Sequence, residues 1–155
     1  MTHEYVIALN GEVAPHVPGP DGIAATAVGW AAEAVLAVGS DEVVRRISRG
    51  DSTFLDLDGC VVTALPNDPE RADTIIRATT DPALDISSLL VREGLLGPDP
   101  MLEPGSAADL AFWGLGPDPG APDGRVTMHL VAMVRGGAFT EGDEHRGPFP
   151  EPGPR

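Results

Sequence analysis

The sequence predicts a mainly β fold of the α+β class: six to eight short strands split between both ends of the chain, with one or two helices between them. Three observations point there. Short valine-rich apolar runs are separated by Pro/Gly-rich stretches at 15–22, 94–105, 114–124 and 147–155, the punctuation expected between short strands. Only the middle of the chain combines helical spacing with capping residues. Finally, 155 residues with 42% hydrophobic content suit one domain, which at this length can bury about 70% of its unfolded surface.

Taken in order, Tyr5 to Leu9 is a short apolar run followed by Asn10-Gly11. That pair is a two-residue hairpin signal because both positions tolerate positive φ, and Glu12-Val13 would begin the returning strand. Residues 15–22 are loop, since their prolines cannot donate to a ladder. Residues 23–28 and 34–38 read as strands around Gly29-Trp30-Ala31-Ala32-Glu33. The alanines favour helix, but Val28, Val35 and Val38 favour strand and Gly29 disfavours a continuous helix. Ser40 is placed to cap a helix, with Asp41 and Glu42 in its first turn and Arg45, Arg46 and Arg49 toward its far end, as the helix dipole prefers. Val43, Val44 and Ile47 form its apolar face and Gly50 ends it. Residues 53–57 alternate Phe54 and Asp56 against Leu55 and Leu57, a strand with one wet face. Asp58-Gly59 then turns the chain into Cys60-Val61-Val62.

Residues 69–80 have helical spacing at Ala72, Ile75, Ile76 and Thr79, with Pro69 in the first turn, where its missing N–H costs nothing. Asp81-Pro82 ends that helix, and residues 86–90 form a second short helix or turn. After a loop at 98–105 come strands at 109–113 and 126–134, and Arg135-Gly136-Gly137 is a hairpin turn into Ala138-Phe139. From Thr140 the chain is polar and Pro-rich, so residues 141–155 are expected to be a disordered tail. The domain is therefore 4–140: an N-terminal half 4–66, a connecting helix 69–80 and a C-terminal half 102–140.

Composition excludes several function classes. The net charge is −14 and all ten basic residues are arginines. No basic patch exists to displace counterions from phosphates, so nucleic acid is not an expected partner. An anionic membrane surface is disfavoured for the same reason, and the acidity serves solubility. Absence of lysine beside abundant Ala, Gly, Pro and Arg points to a GC-rich bacterial genome. Cys60 is the single cysteine, which rules out an intrachain disulfide and a thiolate metal cluster. Met1-Thr2-His3-Glu4 lacks the basic start and apolar core of a signal peptide. No run approaches the ~20 apolar residues of a membrane span. A cytoplasmic location is expected.

Several of these segments resemble one family. Leu36-Ala37-Val38-Gly39, Asp56-Leu57-Asp58-Gly59 and Pro66 resemble the N-terminal β part of metal-dependent amidohydrolases such as imidazolonepropionases and cytosine deaminases. Ala78-Thr79-Thr80-Asp81-Pro82-Ala83 and Leu102-Glu103-Pro104-Gly105-Ser106-Ala107-Ala108-Asp109-Leu110-Ala111-Phe112-Trp113 resemble the family's C-terminal return. Val131-Ala132-Met133-Val134-Arg135-Gly136-Gly137 resembles its last hairpin. In the family a P-G-F-I-D-x-H-x-H segment follows the first block and opens a (β/α)8 barrel. Here Pro66 is followed by Asn67-Asp68-Pro69-Glu70, and the about 250 residues such a barrel needs have no room. The resemblance thus implies the composite β domain that brackets the barrel, a β-sandwich or half-barrel whose N- and C-terminal strands pair, with the catalytic barrel missing.

The residues offer no catalytic constellation to set beside this. Four histidines are present: His3, His16, His129 and His145. A catalytic zinc needs about three ligands on rigid elements, whereas His3 and His145 lie near the termini, His16 in a Pro-rich loop and His129 within a strand. A Cys60–His129 nucleophile would require proximity and an activating environment, and lone cysteines usually pack as small hydrophobes. No G-x-S-x-G elbow occurs, and Gly94-Leu95-Leu96-Gly97 lacks a phosphate-binding lysine. Asp56 and Asp58 read as a solvated strand face, and Trp30 and Trp113 as core or interface anchors. No catalytic, cofactor-binding or metal-ligating residue is assigned, and no cofactor. The expected function is a non-catalytic, barrel-less binding or oligomerisation module, a homodimer or a partner protein covering the former barrel-facing surface. The alternatives are hydrolysis of a cyclic amide C–N bond, with metal ligands or barrel supplied by a partner, and a small-ligand carrier.

Overall fold

A computed structural model describes residues 5–14, 25–79, 85–98, 102–117, 123–140 and 147–151. Twelve elements follow one another: β1 (Tyr5–Leu9), β2 (Glu12–Val13), β3 (Ala27–Ala31), β4 (Ala34–Gly39), α1 (Asp41–Arg45), β5 (Thr53–Asp56), β6 (Val61–Ala64), α2 (Pro69–Arg77), α3 (Ile86–Arg92), β7 (Leu110–Pro117), β8 (Val126–Arg135) and β9 (Ala138–Phe139). The described residues therefore hold nine strands and three helices, more of each than the sequence pattern implied.

The strands form two mixed sheets, ordered β4-β3-β1-β5 and β2-β6-β7-β8-β9, and neither closes into a barrel. Pairing is antiparallel except for β1 with β5 and β2 with β6. The first sheet draws only on residues 5–56. The second joins the two halves of the chain directly, because β6 pairs with β7 in the register Val61↔Trp113 to Ala64↔Leu110.

Alternation along each strand explains why so many runs are apolar without a break. In β1, Val6 and Ala8 enter the core between the sheets, while Ile7 and Leu9 face the opposite way. In β7, Leu110 and Phe112 enter the central core, and Ala111 and Trp113 face outward under helices. Val44 and Ile47 from the α1 region cover the outer face of the first sheet. Ala72 and Ile76 of α2 and Leu89 and Leu90 of α3 cover that of the second. With both faces buried, strands lose the polar positions that a one-sided sheet would show.

Local chemistry sets the starts of the first two helices. The Ser40 hydroxyl accepts from the Val43 amide at 3.3 Å, and Asp68 accepts from that of Arg71 at 3.1 Å, with Pro69 in the first turn. Both helices are shorter than their sequence windows: α1 stops at Arg45 and α2 at Arg77. The face of α1 is also narrower than predicted, because Val44 is buried whereas Val43 is 41% exposed.

Two expectations need correction. Asn10-Gly11 is not a hairpin turn. Asn10 does take positive φ (62°), but the chain leaves the first sheet there: Glu12 donates to the Cys60 carbonyl and Ala14 to that of Val62, which ties β2 to β6. The second concerns the C-terminal stretch. Within the expected tail, residues 147–151 pack: Phe149 is 6% exposed in the central core, its ring 5.1 Å from that of Phe112. The Pro150 carbonyl accepts from the Asp56 amide at 2.8 Å on the outer edge of β5. One aromatic residue supplies enough apolar area to anchor a short segment that composition alone assigns to solvent.

Candidate functional site

The junction at Pro66 leads straight from a strand into a helix. Pro66 is buried, the Leu65 amide donates to the Asp109 carbonyl at 3.0 Å and that of Asn67 to the Leu95 carbonyl at 3.0 Å. The Asn67 side chain adds a 3.3 Å bond to the Gly94 carbonyl. The helix that follows lies on the second sheet's outer face, so this chain's own α2 and α3 cover the surface next to the junction.

Residues 103–109 hold three turns together. The Ser106 amide donates to the Glu103 carbonyl, and the Glu103 amide to the Ser106 hydroxyl, which closes a turn around Pro104-Gly105. This loop runs along the open edge of β4: Val35 donates to the Ser106 carbonyl and Gly105 to that of Val35. Ala108 donates to the Glu33 carbonyl in the β3–β4 turn at 2.8 Å, and accepts from Gly137 in the β8–β9 turn at 3.0 Å. The Asp109 carboxylate takes the Gly136 amide at 2.8 Å, and the Trp30 indole donates to the Gly137 carbonyl at 3.0 Å. Gly136 and Gly137 have φ of 56° and 87°. A Cβ on Gly137 would overlap the Ala32 carbonyl oxygen, so close approach of two turns requires glycine there.

Chemistry-bearing residues are occupied in the same manner. Asp56 accepts from the Asn10 side chain at 3.0 Å and from the Asp58 amide at 2.9 Å. Asp58 sits in the turn with φ 48°, so the two carboxylates do not share a strand face. Trp113 and Thr63 are fully buried, and the indole donates to the Thr63 hydroxyl at 3.0 Å. Trp30 is 1% exposed against Phe112 and Phe139, at 6.3 and 6.1 Å between ring centroids. Both tryptophans are core anchors.

Cys60 and His129 flank the same stretch of β7. The thiol sulfur lies 3.1 Å from where a Cβ on Gly114 would stand, and His129 is the register partner of Gly114. No hydrogen bond joins them; His129 Nδ1 lies 3.2 Å from the Thr127 carbonyl. Burial pushes the Cys60 thiol up, and the neighbouring Asp58 charge adds to it. That shift holds the sulfur protonated, opposite to what a nucleophile requires. His3, His16 and His145 lie outside the described residues. Among the described residues, no group of three or more His, Cys, Asp or Glu is placed to hold a metal ion, and no helix is long and apolar enough to cross a membrane.

Two features escaped the sequence reading. Residues 114–124 look like loop, yet β7 runs on to Pro117 and pairs with β8 as Leu115↔Met128 and Pro117↔Val126. Leu115 (73% exposed) and Val126 (61%) therefore share one face of a ribbon end with Met128. The clue was Leu115 itself, a large apolar residue between two glycines. The other feature is a half-open cavity of about 430 Å³ beside β8, lined by residues that include Val131, Met133, Phe139 and Pro148. Comparison with protein-family models, curated proteins and solved structures finds no match for the chain.

Proposed function

We propose that this chain is a non-catalytic binding or oligomerisation module, resembling the composite β domain of a metal-dependent amidohydrolase without its barrel, and that its partner is a second copy of itself. The observation that carries this reading is the apolar ribbon end, where Leu115 and Val126 stand exposed on one face. Large apolar residues grouped on an exposed face commonly mark an association surface. Support for a scaffold role comes from Asp56, Asp109, Trp30 and Trp113, each of which binds a turn, strand or core neighbour. The pairing of β6 with β7 is what a composite domain built from both chain halves requires. Because α2 and α3 already cover the second sheet beside Pro66, the self-association surface is assigned to the ribbon end rather than to the junction.

Light scattering over a range of concentrations tests this. The wild type should approach a dimer mass, and the double variant Leu115→Ser/Val126→Ser should remain monomeric, with thermal unfolding that matches the wild type at dilutions where both are monomers. A strict monomer at high concentration would overturn the reading. Stoichiometric zinc, iron or manganese in the purified chain would instead favour C–N bond hydrolysis. The cavity beside β8 favours a small-ligand carrier as the second reading, since its volume falls within the usual range for ligand pockets. Thermal-shift screening with imidazolone-like and nucleobase-like compounds separates it from the first.

A further inference from the structure

An open strand edge offers unpaired amides and carbonyls to any chain that can align with it, and proteins commonly blunt such edges with charge. Here β9 pairs with β8 only at Val134 and Arg135, and the Thr140 amide extends the pairing to the Met133 carbonyl. Farther back along β8, toward Val126, no strand among the described residues lies on that side. At this point a helix supplies a carboxylate: Asp73 of α2 accepts from the Leu130 amide at 2.8 Å. The same side chain pairs with Arg77 one turn on, at 2.9 Å, with the two side chains only 20% and 30% exposed. Ala72 and Ile76 fix the helix by packing into the cluster that includes Trp113 and Leu130. The carboxylate is thus held in place both by its ion pair and by its helix.

We propose that Asp73 is an edge guard that keeps β8 from pairing with the β8 of a second copy. It takes up the donor that an incoming strand would need. It also stands a negative charge where a neighbouring carbonyl would have to sit, and a two-fold β8–β8 pairing would bring two such charges together, which is repulsive at short range. This device concerns a strand edge, whereas the association proposed above uses a ribbon face. The two stand or fall separately.

The test is made in the Leu115→Ser/Val126→Ser background, which removes ribbon-end contacts. Asp73→Ala should raise the exchange rate of the Leu130 amide by about tenfold or more, as loss of one charge-assisted hydrogen bond implies, while Val134 exchange stays unchanged. It should also produce concentration-dependent assemblies in sedimentation velocity. Should Asp73→Ala fail to fold, Asp73→Asn keeps the shape without the charge and must still show increased association. Arg77→Ala, which leaves the carboxylate in place, should associate less than either. A folded Asp73 variant with wild-type Leu130 exchange and no added association would overturn the proposal.

Discussion

Replacing Gly137 with alanine is the sharpest test of the three-turn clamp, because its neighbour provides an internal control. At Gly137 φ is 87° and an added Cβ would overlap the Ala32 carbonyl oxygen and come within 2.8 Å of its carbon. A non-glycine residue in this region of φ costs about 1–2 kcal/mol. Relief of the overlap also moves the β3–β4 turn away from the β8–β9 turn. Three bonds depend on that approach: Trp30 to the Gly137 carbonyl, Gly137 to that of Ala108, and Ala108 to that of Glu33. At about 1 kcal/mol net for each bond lost, the total reaches ~4–5 kcal/mol. Gly136→Ala has the same kind of backbone penalty, with φ 56°, but its Cβ would meet nothing within 4 Å. Its cost should stop at about 1–2 kcal/mol. Urea unfolding by tryptophan fluorescence should therefore place the Gly137 variant about 1 M or more below the Gly136 variant, for slopes of ~1–3 kcal/mol/M. Equal midpoints would refute the claim that the turns are held by contact rather than by backbone conformation alone.

Two further outcomes follow from buried groups. Thr63→Val keeps the shape but leaves the Trp113 indole N–H without its acceptor, and should cost about 1–3 kcal/mol. Trp113→Phe made on top of it should cost less than Trp113→Phe alone, and an additive cycle would remove the assigned bond. Cys60 makes the second. Its folded-state pKa is raised by burial and then by Asp58, so the neutral thiol is the favoured form in the fold. Its contribution is fully present below the thiol's unfolded pKa and is lost as pH rises through the folded value. Stability should decline on the alkaline side more steeply in the wild type than in Cys60→Ala, and parallel urea-midpoint profiles for the two would refute the assignment.

The local features were legible where a single residue type forces a conformation. Gly136-Gly137 reads as a hairpin turn and is one, since φ is positive at both positions. Ser40 likewise marks the start of α1, and Pro69 that of α2. The Asn10-Gly11 signal reported positive φ correctly at Asn10 but not at Gly11, and φ does not say which sheet the next strand joins. That choice lies with Val13, buried in the core shared with Val62, and with the Cys60 and Val62 carbonyls waiting as acceptors. Phe149 was missed because composition averages one aromatic residue into a polar stretch. The ribbon end was hidden for a related reason: glycines at 114 and 116 look like loop punctuation, yet in β7 they give way to Val131 and His129 packed across the strand. A lone carboxylate such as Asp73 carries no mark in the sequence at all, because its role depends on a strand more than 50 residues away.

The division of strands between the sheets also sets an order of assembly during synthesis. Every strand of the first sheet lies within residues 5–56, so its pairings can close before the rest of the chain has left the ribosome. Its outer strands must then wait. The cover of β4 comes from residues 105–108 and that of β5 from Pro150, while the Trp30 indole waits for a carbonyl 107 positions downstream. Until those arrive, the nascent sheet presents an uncovered apolar face and two bare edges. A pause in translation after residues 5–56 have left the ribosome but before residues 105–108 have would prolong that exposed state.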